Sequence, residues 1–377
     1  MKKPPIADPY RLVGEAVMQR LLASGVVYLQ MTRCGPVDEA GEPMHAVPGV
    51  FGRVLVLLAG QAAVDLAVGT TGDRGNQRTQ RRIARLLRPI SPDPEELAHG
   101  IARLTAKVER LVLAYWPAIV WAVAQCNDTP DLSAIDVAHR VDHALQQLRW
   151  GQVVSLAAAA VAYAVMGMTV DEVSRDQDDD AVLWGATGRI AYAYHGPDHA
   201  ALDAVLGERE HVVQEPDFQH SLQKHFEKVF AVVRQYDRSQ STLADVITAS
   251  QPLAQALDFV TGPMPKGVRE SARALAATRA TAICAGELAA RAATGLELPN
   301  RTGRVALVRL LVDTTDTVAE AMAIFADAER SPAALIELYR PAITAVAKRL
   351  DGVGSLSGDA LRDLLQCFSM TGDVLAA

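Results

Sequence analysis

The chain repeats itself, and that repeat limits what it can fold into more than any other feature. Ala59-Gly60 is followed nine residues later by Gly69, and Ala285-Gly286 is followed nine residues later by Gly295. The offset between these pairs is 285 − 59 = 226. From Asn76 it becomes 300 − 76 = 224 and stays there. Arg85-Leu86-Leu87 matches Arg309-Leu310-Leu311, Tyr115-Trp116-Pro117-Ala118-Ile119 matches Tyr339-Arg340-Pro341-Ala342-Ile343, and Leu132-Ser133 matches Leu356-Ser357. Self-similarity at a fixed offset is the mark of a repeated structural unit. The shared residues have physical roles: a helix-stopping Gly, a leucine pair for a core, and a Pro that restarts a helix.

What such a unit is made of follows from composition. Half of the 377 residues are hydrophobic, yet only 5% are aromatic. The core is therefore built from Ala, Val and Leu, residues that pack where helices approach closely, and Ala has the highest helix propensity. With 21% charged residues the chain is not a disordered one. A net charge of −7 leaves no broad basic field for nucleic acid. Cys34, Cys126, Cys284 and Cys367 stand far apart, which excludes a four-cysteine zinc site and points to free thiols in a reducing cytoplasm. The basic N-terminus lacks the apolar run of a secretory signal. Residues 153–168, VVSLAAAAVAYAVMGM, are short and Ala-rich, so they read as a buried helix rather than a membrane span.

Along the chain, apolar spacing predicts a helix over 10–23, a short strand over 26–31 and a loop over 33–47. A buried helix over 51–68 should end at Gly69. A basic helix over 78–88 should end at Pro89. Asp93-Pro94-Glu95-Glu96 starts a helix that Pro117 kinks or restarts. Residues 133–149 continue as helix, and the acidic stretch 171–180 reads as a solvated loop between halves. The second half predicts a helix from about Pro197, a helical insert, a break over 261–267, and a long Ala-rich helix over 268–293 stopped by Gly295. The fold class expected is mainly α: two tandem helical units related by internal duplication, with at most a short β-hairpin in each. Residues 1–150 are the first unit. Residues 151–184 are a linker helix and acidic loop. Residues 185–377 are the second unit, with its insert at about 208–267.

The unit resembles the helical peptidase domain of the FtsH-type zinc proteases. That family carries HEAGHA on one helix, an LAGRAAEE-like helix ending in Gly, an Asp-containing turn and a final pair of helices. Here VLLAGQAAVDLAVG, residues 56–69, is similar to the second element. Residues 71–76 stand in for the Asp turn, and helices over 95–123 and 133–148 close the unit. The resemblance covers most of 10–145 and, more loosely, 185–366. No GxxxxGK[ST] loop is present, so the ATPase module of such proteases is not in this chain.

In that family two His, four residues apart on one helical face, hold Zn²⁺. The Glu between them is the general base and a distant Asp is the third ligand. The matching segment in the first unit is Gly14-Glu15-Ala16-Val17-Met18, with the Glu but neither His. In the second it is His195-Gly196-Pro197-Asp198-His199, with both His but Gly in place of the Glu. Asn76 and Asn300 take the third-ligand position. His195 and His199 are the candidate metal ligands and zinc the candidate cofactor. The other reading makes them ordinary helix-terminus histidines, since Pro197 in a first turn leaves His195 outside the helix. His139 and His143 repeat the spacing with no Glu between them. Residues 73–76 before a basic helix read as an anion-binding turn or as a plain solvated helix start. Three functions follow as expectations. The first is a non-proteolytic pseudo-peptidase that binds a protein partner or a second copy of itself. The second is a zinc metallopeptidase centred on His195 and His199, and the third is an α-helical scaffold unrelated to proteases. Nucleic acid and membrane partners are not expected, and the expected location is cytoplasmic.

Overall fold

In a computed structural model of the protein, the described residues are 7–23, 48–69, 73–89, 93–127, 133–175, 188–196 and 198–375. The predicted strand over 26–31 and loop over 33–47 lie outside them, as do Cys34 and Pro197. Helices dominate, as expected: α1 (Ala7–Ala23), α2 (Pro48–Val68), α3 (Asp73–Leu87), α4 (Pro94–Ala114), α5 (Trp116–Asn127), α6 (Ala134–Val165), α7 (His199–Gln214), α8 (Pro216–Ser221), α9 (Gln223–Asp237), α10 (Leu243–Thr261), α11 (Lys266–Thr294), α12 (Arg301–Thr314), α13 (Val318–Arg330), α14 (Pro332–Val353) and α15 (Gly358–Leu375). Three strands, β1 (Thr169–Ser174), β2 (Arg189–Ala193) and β3 (Ser355–Ser357), form one antiparallel sheet in the order β2-β1-β3.

The chain divides into two units, residues 1–149 and 150–377. The boundary falls inside α6, beside the expected end of the first unit at residue 150. The helical part of the expected linker, residues 151–165, carries Val153, Leu156, Ala157, Ala160 and Val161 into the core of the second unit. An Ala-rich run with no charge has nowhere to stand but a close-packed interior. Residues 171–174 of the acidic stretch are strand rather than loop. β1 is the central strand, and Val173 faces Ile190 on one side and Leu356 on the other.

In the first unit α2 packs on α1, α3 and α4, with Val54, Leu58, Ala59 and Ala63 buried. It ends at Gly69, whose φ of 68° is the left-handed turn that favours glycine. α4 starts as its sequence predicts: the Asp93 carboxylate accepts from the Glu95 N–H at 2.9 Å, and Pro94 takes the first position. The helix breaks at Tyr115, and α5 restarts around Pro117. Tyr10 of α1 stacks on Trp116 at 5.6 Å, and Trp121 meets His143 at 5.1 Å, so both tryptophans serve helix packing.

The second unit runs through a similar order. α11 ends at Gly295 with φ 72° and is followed by the short α12, the pair α13 and α14, and the closing α15. One cap recurs at the 224 offset. The Ser133 hydroxyl accepts from the Asp136 N–H at the start of α6, and the Ser357 hydroxyl accepts from the Ala360 N–H at the start of α15. The break beside the Tyr-x-Pro segment does not recur. Pro341 lies inside α14, and the interruption comes earlier, where Pro332 opens that helix. The predicted insert appears as α8, α9 and α10. Two helices, Val50–Val68 and Ala134–Val165, have the length and apolar character to cross a membrane. Buried core positions account for much of that character.

Candidate functional site

The small residues of the repeat sit at helix crossings. In the first unit Gly60 of α2 faces Glu15 of α1. A Cβ at 60 would lie 2.7 Å from Glu15 Cγ and 3.1 Å from Arg11 Cγ. From the other side, a Cβ at Gly14 would lie 2.7 Å from Ala63 Cβ and 3.0 Å from the Ala59 carbonyl oxygen. At Gly14 the neighbours are a Cβ and a backbone oxygen that cannot swing away, so that approach needs glycine, whereas at Gly60 the side chains of Glu15 and Arg11 would have to shift. Burial pushes the Glu15 carboxyl above its ordinary range, with Arg11 and Arg82 pulling it back. Beside Gly60, the buried Gln61 donates to Asp65 at 2.8 Å and accepts from the Thr79 hydroxyl at 3.2 Å, tying α2 to α3.

In the second unit the partner of the equivalent glycine is not on the helix that follows His195. A Cβ at Gly286 would lie 2.7 Å from the Ser155 hydroxyl and 2.8 Å from the Ser155 carbonyl oxygen. Ser155 lies on α6, which approaches α11 at this point. Next to Gly286, Glu287 stands where Gln61 stands in the first unit. It accepts from Arg304 Nε at 3.0 Å, from Arg304 Nη2 at 2.6 Å and from the Asn300 N–H at 2.7 Å. It ties α11 to α12 as Gln61 ties α2 to α3.

The segment that the resemblance matched to HEAGHA in the second unit, residues 195–199, is not what faces Gly286. Placing Ser155 against Gly286 as Glu15 is placed against Gly60 puts Val154 and Ala158 at the two histidine positions. In the first unit those positions are Gly14 and Met18. Met18, Val154 and Ala158 are at most 5% exposed. His195 lies in the turn after β2, outside any helix, and His199 is the first residue of α7. Both are exposed, with ring centroids 6.0 Å apart and edge to face. Asp198 between them has φ 55°, so the two histidines do not ride one continuous helical face. A Cβ at Gly196 would overlap the ring of Tyr194 as it stands, so any side chain there would have to move that tyrosine aside. Asn300 spends its side-chain oxygen on the Gly303 N–H at 2.8 Å, capping α12. Asn76 falls in the first turn of α3, which absorbs residues 73–76 as ordinary helix. Among the described residues no three His, Cys, Asp or Glu side chains are grouped to hold a metal. His195 and His199, as placed, do not form the one-face pair that the resemblance requires of a catalytic zinc site.

No protein family, no curated protein and no solved structure matches this chain.

The Gly286 crossing does open onto a cleft. About 210 Å³ lies between α6, α11, α12 and β2, reached by Ser155, Tyr163, Tyr192, Arg279 and Asn300. Tyr163 and Tyr192 stack at 4.5 Å with an interplanar angle of 27°. Burial, and then the neighbouring Tyr192, push the Tyr163 hydroxyl far above its ordinary range, so it remains a neutral phenol. The Arg279 guanidinium lies over the Tyr192 ring, 5.3 Å from its centroid. Sequence reasoning missed Ser155, Tyr163, Tyr192 and Arg279. They come from three elements of a stretch read as linker, hairpin and core helix. The one signal available was that Gly286 needs a small partner on a neighbouring helix.

A second polar cluster lies deeper in this unit. Arg209, 1% exposed, pairs with Asp258 and, at 3.0 Å, with Asp313, whose side chain is also 1% exposed. Burial pushes the Asp313 carboxyl up, with Arg209 first and then Arg309 pulling it back.

Proposed function

We propose that the chain is a non-proteolytic, peptidase-like helical protein that works by binding, and that its two units descend from one by duplication. The observation that carries the reading is the pair of crossings. Gly14, Met18, Val154 and Ala158 stand where the resemblance would require zinc ligands, and none of them is the Cys, His, Asp or Glu that zinc takes. The three with side chains worth packing are core residues, and Gly14 has no room for any side chain. Ser155 replaces the general base in the second unit. The parallel roles of Gln61 and Glu287, and of the caps at Ser133 and Ser357, support the duplication.

Two measurements test this. The purified chain should not cleave casein or unfolded peptides with or without added zinc, since losing a general base alone removes on the order of 10²–10⁴ in rate. It should also carry no stoichiometric zinc by elemental analysis. Bound zinc together with proteolysis abolished by His199→Ala would reverse the conclusion and make the chain a metallopeptidase.

A further inference from the structure

The cleft at the Gly286 crossing is a built pocket with one kind of charge. Among the described residues that line it, Arg279 is the one charged side chain. Its Nε is buried and has no hydrogen-bond partner among the described residues. A buried donor in that state calls for an acceptor. The guanidinium is not consumed by an ion pair among the described residues; what holds it is the face of Tyr192. That arrangement leaves a planar, pre-set fork of donors, the geometry that suits a carboxylate. The rest of the wall is divided between short polar groups, Ser155 and Asn300, and apolar surface, of which Leu156 and Ile283 are examples. A volume of about 210 Å³ is far more than the roughly 10–15 Å³ that one water needs. It is still small for a ligand pocket, so what enters has about the size of one amino-acid residue.

From this we infer that the cleft binds a small carboxylate with an apolar body, its charge on Arg279 and its body against the apolar wall. The inference deepens the binding reading above and rests on it. The same chemistry has two sources, a free organic acid or the C-terminal residue of a peptide chain, and the probes separate them. Titration of the full chain would use 3-phenylpropionate, acetyl-Ala-Ala-Phe with a free carboxylate, and the same tripeptide as its C-terminal amide.

At least one of the two acids should bind saturably, and the amide at least tenfold more weakly than its acid. Binding of 3-phenylpropionate alone identifies a free acid, and tighter binding of the tripeptide acid identifies a chain end. Arg279→Gln should weaken the acids at least tenfold, and Arg279→Lys should fall between, because a point charge replaces the fork. Circular dichroism of both variants guards against misfolding, and the lysine variant carries the test if the glutamine variant does not fold. The inference is overturned if neither acid binds up to roughly 10 mM. It is also overturned if the amide binds as well as its acid, or if folded Arg279 variants bind like the parent. Casein cleavage would sink the non-proteolytic reading without changing any of these titrations, so the two failures remain distinct.

Discussion

Glu287 holds Arg304 with both carboxylate oxygens, at 3.0 and 2.6 Å, and the two side chains are less than a fifth exposed. The same Glu287 oxygen that meets Arg304 Nε also takes the Asn300 N–H. One carboxylate therefore both anchors the start of α12 and neutralises a cation beside the core. Glu287→Ala should lower the stability of the second unit by about 2–3 kcal/mol, the range for charge-assisted bonds with limited solvent access. Thermal melting reads this directly. A melting temperature unchanged by the substitution would mean that solvent replaces the bonds without loss.

Gly286→Ala should also destabilise, although alanine is the better helix former by about 1 kcal/mol. The added methyl meets the Ser155 backbone carbonyl at 2.8 Å, and overpacking of this kind costs about 1–3 kcal/mol. Gly207 on α7 has nothing within 4 Å, so Gly207→Ala should stabilise by roughly 0.5–1 kcal/mol. Opposite signs for the two glycines are the expected result. Matching signs would show that the close approach at Gly286 is not maintained in solution.

Arg209→Met leaves Asp313 buried without its ion-pair partner. The loss should be about 3–5 kcal/mol, and Arg209→Met combined with Asp313→Leu should recover most of it. The deficit should also depend on pH. The folded carboxyl already titrates above its ordinary 3.8 because of burial, so the native state holds its proton more tightly there. Native stability is thus favoured on the acid side and lost as pH rises through the folded value. Removing Arg209 raises that value further. Denaturant melts of the single variant should show a deficit that shrinks toward acid pH and is full above the folded titration. A deficit that grows on acidification would contradict this assignment.

Asp245 behaves in the opposite way. The Thr242 backbone N–H, and then the Thr242 hydroxyl, hold its carboxyl below the ordinary 3.8 in a reciprocal cap at the start of α10. Its contribution is present above the unfolded value and is lost as pH falls through the folded one. In a carboxyl NMR titration, Asp245 should titrate below 3.8 in the parent and move upward in Thr242→Ala. Equal midpoints in the two proteins would rule out the hydroxyl as a cause.

Much of the fold was legible because it rests on local rules. The stops at Gly69 and Gly295, the start at Asp93-Pro94 and the restart around Pro117 all follow from backbone chemistry within a few residues. The division into units was less legible. Residues 153–168 were correctly read as buried helix, but burial does not say which core a helix joins. The candidate site was legible only in half. Gly60 and Gly286 lie at close crossings, and the motif match in the second unit was read at residues 195–199, whereas Gly286 faces Ser155. Histidine spacing is a strong lure, and the long stretch between Ser155 and Gly286 hides their pairing. The cleft residues Tyr192 and Arg279 meet only through tertiary packing, for which no short-range pattern exists.

The two crossings also differ in how much chain must be gathered to make them. Glu15 and Gly60 are 45 residues apart (60 − 15), whereas Ser155 and Gly286 are 131 apart (286 − 155). Loop-closure entropy grows as about (3/2)RT ln n, so the second contact costs ~1 kcal/mol more to close from an open chain. The first also emerges earlier from the ribosome, complete in its local sequence before β1 is made. Assembly is therefore ordered in time: α1 can clasp α2 while the chain is still short. Ser155 must wait, with α6 exposed, until α11 has been synthesised.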